Sequence, residues 1–237
     1  MYLERIVVKP RPGLFEAARD FFFLLERGYG RKPALDLVSS RRLLSKTERL
    51  LLYRSVHPSW VAASRSSKRL EPGTIRGARV AVDGFNVIST VASAIIGDTL
   101  IRGNDGFIRD LAATRRKVKS SPIYFLSMNV AAEALARLEP ESQVWVFDSQ
   151  ISRSASFAAA VEAWATPVLS RNADATVVEL ANKGYVAVTS DSVILDRVDA
   201  AFDLGGFLAQ KISPDAIVDL SAPLREMEEC LSHCPGF

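Results

Sequence analysis

Four short apolar runs in this sequence finish on aspartate: Val80-Ala81-Val82 on Asp83, Val144-Trp145-Val146-Phe147 on Asp148, Val186-Ala187-Val188-Thr189-Ser190 on Asp191, and Ala201-Phe202 on Asp203. If the runs are strands of one parallel sheet, their carboxyl ends share an edge, and open α/β sheets bind ligands in the crevice outside that edge. Asp174 joins them if the helix after Arg171-Asn172 follows its strand directly. Carboxylates a few ångströms apart repel and raise one another's pKa, a cost that a divalent cation removes. Oxygen ligands with no histidine or cysteine nearby select Mg²⁺ or Mn²⁺ over zinc. One or two such ions activate water and stabilise the charge that builds on a phosphoryl group, so the chemistry to expect is phosphodiester hydrolysis. Any one aspartate can instead be a helix cap. Asp83 and Asp191 follow the strongest β runs and precede turns, Asp174 comes next, and Asp148 and Asp203 fit the capping role as well.

The elements that must position these acids fall into two groups. From Leu14 to Arg27 apolar residues recur at helical spacing, and Gly28 sits where a terminator belongs. Pro33 suits the first turn of a second helix to about Leu44, Ser45 with Glu48 makes a capping box for a third, Pro58 stops it, and Trp60 to Lys68 reads as a short fourth. Glu71-Pro72-Gly73 is then a linker, dividing a helical domain, 1–72, from a second domain, 73–237. Beyond it, β-rich runs at Arg79–Asp83, Gln143–Asp148, Thr166–Leu169, Tyr185–Thr189 and Ala200–Asp203 alternate with helical stretches, which predicts an α/β domain with a mainly parallel sheet. Helices are expected near Ser89–Ile96, Gly106–Val118, Pro122–Arg137, Ala173–Lys183 and Asp215–Leu231.

Charge divides at the same place. Residues 1–72 hold 15 Lys and Arg against 7 Asp and Glu, whereas residues 73–237 hold 15 against 20. A basic module joined to an acidic one could grip a polyanion on one surface while keeping carboxylates for metal on another. Arg27, Arg31 and Lys32 around Tyr29, then Arg41 and Arg42, and the run Arg115-Arg116-Lys117 with Lys119, are the candidate phosphate contacts, and Tyr29 could stack on a base. The competing reading is that basic runs at helix ends are solvated faces complementing the helix dipole. Phe21-Phe22-Phe23 reads as core or as a homodimer contact rather than a base platform. No apolar run approaches the ~18 residues of a membrane span, and Glu4, Arg5 and Lys9 leave no signal core, so a cytoplasmic protein is expected. Cys230, His233 and Cys234 lack a visible fourth ligand for zinc.

Asp83-Gly84-Phe85-Asn86 resembles the D-G-x-N opening of PIN-like and NYN nuclease domains, Asn172-Ala173-Asp174-Ala175 their third motif, and Thr189-Ser190-Asp191-Ser192 their fourth, in the same order. The segment from Leu24-Leu25-Glu26-Arg27-Gly28-Tyr29 through Leu50-Leu51-Leu52-Tyr53-Arg54 is similar to the N-terminal part of an uncharacterised prokaryotic family, domain of unknown function 434, which is joined to such a PIN-like region. The resemblance implies a three-layer PIN-like domain binding Mg²⁺ or Mn²⁺ through Asp83, Asp174 and Asp191, with Asp148 beside them. It also implies that Asn86 orients Asp83 or touches phosphate, and that Ser192 or Thr189 supports the last acid. Such nucleases usually add an acid from a helix in mid-domain, for which Asp105, Asp110 and Glu133 compete; Asp110, on the expected 106–118 helix, is the choice. The implied activity is an endonuclease acting on RNA rather than DNA. Were no middle acid to reach the site, the chain would be a non-catalytic RNA-binding or partner-binding protein. A nucleotide-binding α/β enzyme is a poor fit, for no phosphate-binding glycine loop follows the first strand.

Overall fold

The computed structural model describes residues 5–111 and 122–232; Arg115, Arg116, Lys117 and Lys119, together with His233 and Cys234, lie outside them. The N-terminal region is four helices, α1 (Pro12–Glu26), α2 (Arg31–Arg41), α3 (Lys46–Ser55) and α4 (Ser59–Ser67), bounded where the glycine and proline punctuation predicts. The capping box of α3 forms: the Ser45 hydroxyl accepts from the Glu48 N–H at 3.2 Å, and the Glu48 carboxylate accepts from the Ser45 N–H at 2.8 Å. Phe21 and Phe22 are core side chains, whereas Phe23 is partly exposed beneath the Arg27 guanidinium, 5.2 Å from its ring centre.

The chain then alternates in type: β1 (Arg79–Asp83), α5 (Gly84–Ile96), β2 (Leu100–Arg102), β3 (Ile108–Asp110), α6 (Pro122–Ala136), β4 (Ser142–Asp148), α7 (Ser154–Val161), β5 (Thr166–Ser170), α8 (Ala173–Asn182), β6 (Val186–Val188), α9 (Ser192–Leu195), β7 (Ala201–Phe202), α10 (Leu204–Ile212), β8 (Ile217–Asp219) and α11 (Ser221–Ser232). Five strands make one fully parallel sheet in the order β5-β4-β1-β6-β7. Because side chains alternate along a strand, Val80, Val82, Trp145 and Phe147 face α5, α6, α7 and α10, while Ala81, Val144, Val146 and Ala187 face α8 and α9. Both faces are covered, which is why these strands read as continuous apolar runs. After α4 the chain runs along the β7 edge, the Leu70 N–H donating to the Ala201 carbonyl at 2.8 Å, so this edge is paired.

Sequence reasoning misplaced two segments. The helix expected over 106–118 begins instead as β3, antiparallel to β2, and β2 also pairs in parallel with β8, where the helix over 215–231 was expected to start. Three-residue strands carry too few positions to show a period of two, and the polar Asn104-Asp105 pair imitates a helix start. This second sheet packs Ile101 and Val218, with Leu224 of α11, into the core formed by α1, α2 and α3. The helical region therefore shares one hydrophobic core with the end of the chain, and Arg19 on α1 pairs with Glu226 on α11 at 3.1 Å. Among the described residues no helix is long and apolar enough to cross a membrane.

One local constraint shapes the carboxyl edge. Gly84 opens α5 so close to the neighbouring strand that a Cβ there would lie 2.5 Å from a Phe147 ring carbon and 3.0 Å from the Val146 carbonyl oxygen. Gly84→Ala is expected to cost about 1–3 kcal/mol by overpacking a site with no room to yield; urea denaturation measures it, and a loss under ~0.5 kcal/mol would contradict the constraint.

Candidate active site at the carboxyl edge of the sheet

β1 lies at the centre of the sheet with β4 and β6 beside it, so Asp83, Asp148 and Asp191 emerge side by side. Asp174 arrives in the first turn of α8, which follows β5, and Asp110 arrives at the end of β3. All five line a cleft of about 280 Å³, with Asn86, Ser89, Arg54 and Arg171 around them. Asp110 thus reaches the cleft from a strand of the second sheet rather than from the expected helix. The other two contenders for the middle acid are placed elsewhere. Glu133 pairs with Arg137 at 2.6 Å on an exposed face of α6, and Asp105 is fully buried against Arg109. Asp203 does not line the cleft: its carboxylate accepts from the Gly206 N–H and the Ile108 N–H, both at 2.8 Å, capping α10 and anchoring β3.

Electrostatics single out Asp83. Burial pushes its carboxyl up to about 7, and Asp191 and then Asp174 push the same way, against the Thr189 hydroxyl that donates to it at 3.0 Å. Asp174 is raised by burial, then by Asp191 and Asp148. The same Thr189 oxygen accepts from the Asp191 N–H at 3.0 Å, so one hydroxyl fixes two of the acids. Asp191 keeps one cap bond, accepting from the Val193 N–H at 2.7 Å, and Asp148 accepts from the Gln150 N–H at 2.8 Å. The donor set around the cleft is therefore all oxygen, as a hard divalent cation requires. Among the described residues no three such side chains already stand close enough together to form a ligating group.

The Asn86 backbone N–H donates to the Asp83 carboxyl, lowering it, while the Asn86 side-chain oxygen accepts from the Ser190 N–H at 2.9 Å and the Ser190 hydroxyl at 3.2 Å, tying the start of α5 to the loop that carries Asp191. That loop is also held from the other side. Arg109 donates to the Ser190 carbonyl at 2.9 Å while chelating Asp105 at 2.8 and 2.6 Å. Arg65 of α4 donates to the Ser192 hydroxyl at 3.2 Å while chelating Asp196 at 2.7 and 2.8 Å. Ser192 is thus a contact of the helical region. Arg31 is half-buried at the mouth of an adjacent cavity, and Lys32 is exposed and lines neither cavity.

Residues 72–207, over half of the 237, match the family described as Domain of unknown function (DUF5616). The chain belongs to that family. Ahead of the DUF5616 match, residues 13–68 match Protein of unknown function (DUF434), which covers the four N-terminal helices. A relative in Methanocaldococcus jannaschii, Uncharacterized protein MJ0935, is 28% identical over 185 residues, spanning 76% of this chain and 88% of its own. No solved structure gives a significant match. All five cleft aspartates fall within the DUF5616 span, whereas Arg54 enters the cleft from the DUF434 side.

Sequence reasoning missed three polar residues that line the cleft, Ser89, Arg54 and Arg171. Ser89, on α5 one turn beyond Asn86, is 3% exposed, and among the described residues its hydroxyl has no hydrogen-bond partner. Its i+3 spacing from Asn86 was a usable signal. Arg54 carried none, because its place depends on how the two regions dock; one of its terminal nitrogens donates to the Asp110 carbonyl at 2.8 Å.

Proposed function

We propose that the chain is a Mg²⁺- or Mn²⁺-dependent endonuclease hydrolysing phosphodiester bonds in RNA. The observation that carries this reading is the cleft of five aspartates from five separate segments, with Asp83 raised to about 7 by burial and its neighbours. A fold spends stability to hold acids this way, and a bound cation relieves the repulsion. The parallel sheet with helices on both faces and acids at its carboxyl edge supports a PIN-like assignment.

In this reading Asp83, Asp174 and Asp191 hold the metal, with Asp148 and Asp110 completing its surroundings. A divalent ion bound there would supply Lewis acidity toward the phosphate and lower the pKa of an attacking water. Thr189 ties the Asp83 carboxyl to the Asp191 backbone through its single hydroxyl, which donates to the first and accepts from the N–H of the second. Ser89 places an unsatisfied hydroxyl where a phosphate oxygen or a water would be met. Arg54 and Arg171 supply positive charge at the rim for the phosphate ester. The second reading is an RNA-binding protein that does not cut; among the described residues no group of three Asp, Glu, His or Cys side chains is placed to hold a metal ion.

Labelled single-stranded and structured RNA incubated with the purified chain tests the choice. Cutting is expected with Mn²⁺ and Mg²⁺, abolished by EDTA, and slowed at least about 100-fold by Asp191→Asn or Asp174→Asn. A wild-type chain that binds Mn²⁺-supplemented RNA without cutting it establishes the second reading instead.

A further inference from the structure

Beside the acidic cleft lies a larger cavity, of about 620 Å³, between the helical region and the α/β domain. Its volume falls within the ~300–1,000 Å³ of small-ligand sites. Three large aromatic side chains line it while remaining exposed, Tyr29 at 59%, Tyr53 at 48% and Trp60 at 74%. Arg31 and Arg54 stand among them. Clustered exposed aromatics mark binding surfaces, and aromatic faces interleaved with arginine suit the π-face of a base beside a phosphate. The wall is preorganised. The Arg31 guanidinium donates to the Tyr53 carbonyl and lies 4.9 Å from the Tyr53 ring centre and 5.6 Å from that of Phe21, which fixes the ring before any ligand arrives.

Two residues line both cavities, Arg54 and Asp191. An occupant of the larger one is therefore adjacent to whatever reacts in the smaller. We infer that this cavity is a subsite for an unpaired nucleobase of a single-stranded nucleic acid, seated against Trp60 and Tyr53 while the neighbouring phosphate lies at the carboxylates. The last clause rests on the proposed nuclease reading; the base subsite does not. The interior base pairs of a duplex already stack on one another and offer no face to Trp60, so single strands are the favoured occupant.

Fluorescence anisotropy with the full chain in EDTA separates the two questions, because binding is read without cutting. The probes are a labelled 12-residue oligoadenylate as RNA, its DNA counterpart, and a blunt RNA duplex. Trp60→Ala and Tyr53→Ala are each expected to weaken single-strand binding about 5- to 100-fold, with Trp60→Phe recovering most of it, and to leave weak duplex binding unchanged. Equal binding of RNA and DNA assigns recognition to the base face alone, and tighter RNA binding adds a ribose contact; either agrees with the inference. Full-affinity binding by both alanine variants overturns it, as does a duplex that binds as tightly as the single strand. Wild-type binding that depends on Trp60, combined with no cutting in Mn²⁺, leaves the subsite standing and removes the nuclease.

Discussion

Asp105→Asn is expected to destabilise the protein by about 3–5 kcal/mol, more than any substitution of a cleft acid. Asp105 is fully buried, Arg109 is 2% exposed, and Arg65 and His57 stand against the same carboxylate at 3.4 Å. Burial alone raises Asp105, but Arg109, then His57 and Arg65, overcome it and hold the carboxyl well below the usual range. Neutralising it leaves Arg109 charged in a site that burial closes to water, which is the costly way to break an ion pair. Urea denaturation at pH 7 measures the loss, and a change below ~1 kcal/mol would show that the cluster is not what joins the regions. Because Arg109 also grips the Ser190 carbonyl, the variant should loosen the Asp191 loop even under conditions where it folds.

Asp83→Asn should act in the opposite direction on stability. Folding holds the Asp83 proton more tightly than the unfolded chain does, since its carboxyl moves from an ordinary 3.8 to about 7. As pH rises through that window the unfolded state sheds its proton first, so stability falls with pH and levels off above about 7. Asparagine carries no such penalty. In EDTA at pH 8 the variant is expected to gain about 2–4 kcal/mol, a gain that disappears at pH 4. Thermal melts across that range check it; equal stability of the two chains at pH 8 would mean that Asp83 is not under strain. On the proposed function the same variant loses metal-dependent cutting, and Mn²⁺ should raise the melting temperature of the wild-type chain more than that of the variant. A stabilised but inactive protein is the signature of an acid kept for function rather than for the fold.

These two aspartates show how far the sequence could be read. Asp83, Asp148, Asp174 and Asp191 were legible as a group because each ends or follows an apolar run, and in a parallel sheet that position alone fixes which edge they share. The four N-terminal helices were legible for a similar local reason, since Gly28, Pro33, the Ser45-Glu48 box and Pro58 act within one turn of themselves. Where a residue's role depended on a distant partner, the sequence was silent. Asp105 and Asp110 stand five apart, yet one is paired inside an ion cluster and the other lines the cleft, because Asp110 ends β3, which pairs with β2, while Asp105 lies in the turn before it.

What the amino-acid order determined by itself was the alternation of elements, the basic helical region ahead of an acidic α/β domain, and the list of acids at strand ends. Only the tertiary structure decided that β8 and α11 return to complete the core of that helical region, that Asp203 is a cap, and that Arg54 and Trp60 stand beside the aspartates. The physical reason is range: caps, turns and apolar periods are settled by neighbours along the chain, whereas burial and ion pairing are settled by residues as far apart as Arg65 and Asp196.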